Sequence, residues 1–106
     1  MIFGRRRFDE VVTRQLDLFE REQAELVRRC DEAETAYDEA GRDEAEERYG
    51  DLTELVDEGA EALFDLRDGY ARTLDDDVAR DYRRAFDRAV SRRLPRFAAA
   101  LRAWGE

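Results

Sequence analysis

The stretch Tyr37-Asp38-Glu39-Ala40-Gly41-Arg42-Asp43-Glu44-Ala45-Glu46-Glu47-Arg48-Tyr49 decides the fold, because it joins two arms with the same periodicity. Upstream, Val12, Leu16, Phe19, Gln23, Leu26, Cys30, Ala33, Tyr37 and Ala40 recur at steps of four and three. That spacing keeps them on one stripe of a helix, and only Gln23 on the stripe is polar. Downstream, Ala45, Tyr49, Leu52, Val56, Gly59, Leu63, Leu66 and Tyr70 repeat the pattern. Gly41 suits the left-handed conformation that ends many helices. Asp43 is placed to cap the next helix, with Glu46 three residues on as its capping-box partner.

Folding the arms back on this turn predicts facing layers. Tyr37 meets Tyr49, Ala33 meets Leu52, Cys30 meets Val56 and Leu26 meets Gly59. Large faces small in two of these layers, which fills space without voids. Gly50, Gly59 and Gly69 lie inside the second arm and read as local weakness tolerated by packing; the sharper alternative is close approach of another helix at Gly59. At roughly 30 residues and ~1.5 Å per residue, each arm would be about 45 Å long.

A second turn follows at Thr73-Leu74-Asp75-Asp76-Asp77, where Thr73 or Asp75 can cap. Beyond it, Val78, Tyr82, Phe86, Ala89, Val90, Leu94, Phe97, Leu101 and Trp104 form a third stripe. The matching register places Tyr82 on Leu66, Phe86 on Leu63, Val90 on Gly59 and Phe97 on Leu52, with Trp104 beside Ala45. Pro95 removes a backbone donor and predicts a kink. The expectation is an all-α chain, an antiparallel up-down-up three-helix bundle. Its helices span about residues 8–40, 43–73 and 76–104, the last kinked near Pro95. Residues 1–106 are read as one domain. Within it, residues 1–7 form a flexible basic arm: an apolar tip, Met1-Ile2-Phe3-Gly4, then Arg5-Arg6-Arg7.

Composition excludes much chemistry. There is no histidine, and every one of the 19 basic residues is arginine. Without histidine there is no Ser-His or Cys-His nucleophile system. Without lysine, Schiff bases and a Walker phosphate loop are excluded. The helical seams carry no carboxylate for an internal metal site. The expectation is therefore no enzyme, no cofactor and no metal. Cys30 sits on the seam, where a buried structural thiol is expected. With one cysteine, no apolar span and no visible signal peptide, a cytoplasmic location is expected.

Charge is unevenly placed. Residues 9–79 carry eight arginines against 25 acids, whereas residues 80–106 carry eight arginines against three acids. Arg80, Arg84, Arg88, Arg92 and Arg96 recur at four-residue steps and form a candidate anion-binding stripe. The competing reading is internal: a basic third helix lying against an acidic hairpin. Phe8, Val11, Leu18 and Phe64 lie away from the main seams and form a candidate self-association surface, predicting a homodimer. The function expected from all this is a non-catalytic helical interaction or scaffold module with a possible protein partner. The alternative is binding of nucleic acid or an anionic surface through the arginine stripe and the N-terminal arginines.

Overall fold

The computed structural model describes residues 7–104, and the apolar tip and Arg5-Arg6 of the expected basic arm lie outside these residues. The described chain is all-helical, with five helices: α1 (Asp9–Glu22), α2 (Ala24–Glu39), α3 (Ala45–Ala71), α4 (Asp76–Arg93) and α5 (Pro95–Trp104). Charge matches the helix dipole at several ends: Asp9 and Glu10 open α1, Asp76 and Asp77 open α4, and Arg92 and Arg93 close it.

Two of the three expected helices are divided. Gln23 separates α1 from α2 with φ −108° and ψ 23°. The four-residue ladder nevertheless continues through it: Gln23 N–H donates to the Phe19 carbonyl at 2.8 Å, and Val27 N–H donates to the Gln23 carbonyl at 2.9 Å. The second division is deeper. Leu94 has φ −132° and ψ 56°, and Pro95 then takes the first position of α5, where its missing N–H costs nothing. The expected kink is a change of direction.

The second register is overturned on both sides of that break. Tyr82 packs its ring on Tyr70, 4.8 Å between centroids, about a helical turn away from the expected Leu66. Further along α4, Arg67 pairs with Asp87 at 2.8 Å, so α4 runs antiparallel to α3. After Leu94 the chain turns, and Phe97 lies over Gly59 where Val90 was expected. Trp104 then meets Phe64 at 5.8 Å between centroids and not Ala45. From Phe97 to Trp104 the contacts climb α3 in the direction of its own sequence.

The first turn keeps its expected partners but not its expected caps. Tyr37 and Tyr49 meet with ring centroids 5.5 Å apart. Gly41 does not take a left-handed conformation; no described residue has positive φ. Ala40 is extended instead, at φ −70° and ψ 140°, and the Gly41 carbonyl accepts from the N–H groups of Glu44 and Ala45 at 3.0 Å. The cap position of α3 is Glu44, with no side-chain hydrogen bond, so the Asp43–Glu46 box does not form. At the second turn Asp75 holds the cap position without a side-chain bond, and Thr73 Oγ1 donates back to the Tyr70 carbonyl at 2.6 Å.

The core lies toward one end of a molecule measuring 51 × 26 × 23 Å. Phe19, Leu63, Tyr82, Phe86, Val90, Phe97 and Leu101 are fully buried in it. Phe19 meets Phe97 edge-on at 5.6 Å. Between Asp31 and Glu58 no residue is buried, so the distal hairpin stands out from the core as a two-helix prong. No described helix is long and apolar enough to cross a membrane.

Tyr82 shows how the core constrains a titratable group. Its hydroxyl donates to Gln15 Oε1 at 2.6 Å. Burial pushes its pKa far above the usual phenol range, and the bond to Gln15 only partly opposes this. The neutral phenol is thus the form the fold accepts. Its stabilising contribution is fully present below the unfolded tyrosine pKa of about 10 and is lost as pH rises beyond it, at up to ~1.4 kcal/mol per pH unit. Urea midpoints measured from pH 8 to 12 are expected to fall above pH 10. In Tyr82→Phe that fall is shallower, whereas at pH 8 the variant loses ~0.5–1.5 kcal/mol with the hydrogen bond. An unchanged alkaline slope in Tyr82→Phe would contradict the assignment.

Candidate functional site

The arginines fall into two sets. The inner set is engaged inside the chain. Arg67, on the four-residue row Gly59, Leu63, Arg67, Ala71, is buried in α3. It donates to Asp68 at 3.0 Å and to Asp87 at 2.8 Å, and its guanidinium lies 5.3 Å from the Phe64 ring centroid. Burial alone would lower its pKa, but the hydrogen bonds it donates to Asp87 and Asp68 outweigh that and raise it. Arg83 reaches Asp68 at 3.5 Å, Arg93 pairs with Asp17 and Glu20 of α1, and Arg96 pairs with Asp31 of α2 at 2.8 Å. Because Arg93 meets Asp17 and Phe8 meets Tyr82, α1 and α4 run side by side in the same direction.

The outer set comes from the same stripe. Arg84, Arg88 and Arg92 are exposed and, among the described residues, form no ion pair. At four-residue steps on α4, their Cα atoms rise ~6 Å apiece. Arg88 and Arg92 line a recess of about 530 Å³ with Asp9 and Ala85, between the start of α1 and α4. Arg80 is exposed too, and its partner is Asp77 on its own helix at 3.6 Å. The expected stripe of five is therefore split. Arg96, beyond the Leu94 break, is spent on α2, and the remaining four face outward.

The four residues expected to mediate self-association find much of their cover within the chain. Phe8 is buried, meeting Tyr82 edge-on at 5.5 Å. Phe64 lies between Trp104 and Arg67. Val11 is half-buried against the core, and Leu18 is half-buried. Among the described residues the large apolar side chains left exposed are Tyr37 at 38%, Tyr49 at 56% and Trp104, against Phe64, at 44%.

Sequence periodicity misses Arg67 as a buried charge, although its place in the row from Gly59 to Ala71 is a visible signal. Cys30 is buried as expected, and burial pushes its thiol pKa up, with Arg96 opposing and Asp31 adding. Among the described residues no group of three or more acids and cysteine is arranged to hold a metal ion. No family model matches this chain, and no curated protein or solved structure does either.

Proposed function

We propose that the chain is a non-catalytic helical interaction module of the cytoplasm, which docks a protein partner through charged faces. In this reading α1–α2, α3 and α4 act as three antiparallel arms, up, down and up, and α5 turns back over α3 after Leu94. The observation that supports it best is the outward row Arg84, Arg88 and Arg92. Nearby arginines are taken up by acids of the hairpin or of α1, and these three are not. A homodimer through Phe8, Val11, Leu18 and Phe64 draws little from the fold, since Phe8 and Phe64 are covered internally.

The alternative, binding of nucleic acid or an anionic surface, would use the same three arginines. The prong argues against it: residues 31–58 carry 13 acids and two arginines, which repel a polyanion. A photo-crosslinking residue at Ser91, exposed beside the row, tests the two readings in cells. The expected product is a protein adduct that disappears when Arg84 and Arg88 are changed to glutamate. Adducts with nucleic acid alone, or none at all, would overturn the module reading.

A further inference from the structure

We propose that the acidic prong of one copy seats on the Arg84–Arg88–Arg92 row of a second copy, so that the chain associates head to tail. The inference rests on the module reading above and names its partner. One surface is the prong tip, where Tyr37 and Tyr49 stand half-exposed among unpaired acids. Asp38, Glu39, Glu46 and Glu47 are exposed there and form no ion pair among the described residues. The other surface is the arginine row on α4, with the recess beside it.

The two surfaces are complementary in chemistry. Arginine binds carboxylates and also stacks on aromatic faces, and the tip offers both. The chain already uses this combination internally, where Arg67 lies over Phe64 and bonds Asp68 and Asp87. The surfaces belong to different parts of the fold. The row lies on α4 beside the start of α1, whereas the prong consists of the far halves of α2 and α3. A prong folded on its own arginine row is excluded, because the row lies beside the start of α1 and the tip at the far ends of α2 and α3, toward the other end of a molecule 51 Å long. Contact therefore needs a second molecule. A contact between two different patches does not close on itself after one step, so it leads to a ring or an open chain of copies. Two prongs docked on each other would instead bring 13 acids against 13.

Exposed ion pairs are individually weak and screened by salt, so the association is expected to be concentration-dependent and lost in salt. Light scattering on the purified full chain tests it at high micromolar concentration. At about 20 mM salt, where the Debye length exceeds ~20 Å, the mass is expected to exceed a monomer and to grow with concentration. At about 500 mM salt it is expected to return to a monomer. Changing Arg84, Arg88 and Arg92 to glutamate should give a monomer at low salt. Changing Asp38, Glu39 and Glu46 to arginine should do the same. Mixing these two variants should restore association, because each now carries the complement of the other.

A wild-type monomer at low salt overturns the proposal, and so does a tip variant that still associates. Circular dichroism of both variants guards against unfolding as the cause. If the wild type is monomeric while the Ser91 crosslink captures a different protein, the head-to-tail inference fails and the module reading stands. If no protein is captured and the wild type is monomeric, both fail.

Discussion

Phe97→Ala is expected to cost about 3–5 kcal/mol, read as a lowered urea midpoint. Phe97 is fully buried, edge-on to Phe19 and against the bare backbone of Gly59. Gly59, beneath the ring, has no side chain to fill the space. The same geometry gives Gly59→Ala an unusual sign. A helix interior normally gains ~1 kcal/mol when glycine becomes alanine. Here the new Cβ would lie 2.9 Å from Phe97 Cδ1 and Cζ, and closer still to Cε1. Overpacking of this kind costs ~1–3 kcal/mol and exceeds the propensity gain. In the Phe97→Ala background the clash is gone, so Gly59→Ala becomes neutral or stabilising. Gly69→Ala is the control, since a Cβ there meets nothing within 4 Å, and it should stabilise in either background. Additive effects of Gly59→Ala and Phe97→Ala would show that the two do not touch.

Asp87→Ala is expected to destabilise more than Arg67→Met, a ranking opposite to that of side-chain size. Arg67 is almost entirely buried, whereas Asp87 is 39% exposed. Removing Asp87 leaves a guanidinium inside the fold with Asp68 as its remaining close acid partner in α3. Orphaning a fully buried charge costs ~3–5 kcal/mol; with Asp68 retained and Asp87 partly screened by water, about 1–3 kcal/mol is expected. Arg67→Met removes the buried charge and keeps an apolar stem, while both carboxylates can turn to solvent. A volume-conserving change of this type costs under ~1.5 kcal/mol. Equal losses in the two variants would mean that the pair contributes little beyond packing.

The helical class and the hairpin are legible in the sequence because they rest on periodicity. The steps of four and three from Val12 to Tyr37, and from Tyr49 to Tyr70, specify two facing stripes, and Tyr37 meets Tyr49 accordingly. Periodicity is blind to breaks that preserve the stripe. Gln23 keeps its ladder bonds and alters only two dihedrals, so nothing in the spacing announces it. Leu94 is harder still. Pro95 signals an interruption, but the direction taken afterwards depends on where Phe97 finds room, and the room is at Gly59. That one choice displaces Trp104 from Ala45 to Phe64 and moves Arg96 from the outer row to Asp31. The caps fail for a local reason. Extended Ala40 lets the Gly41 carbonyl satisfy two N–H groups, and Asp43 is left without a role at the helix start.

The stretch without a buried residue, from Asp31 to Glu58, gives the molecule two tiers of stability. Opening the core exposes the aromatic cluster and amounts to global unfolding. Opening the tip breaks backbone hydrogen bonds already close to water and exposes little apolar surface, so it proceeds as a local event at far lower free energy. Amide exchange is accordingly expected to be graded along α2 and α3, slow near Cys30 and Leu63 and fast near Tyr37 and Tyr49. The hairpin is therefore expected to fray from its turn inward, the reverse of a free helical hairpin, whose closed turn holds the arms together.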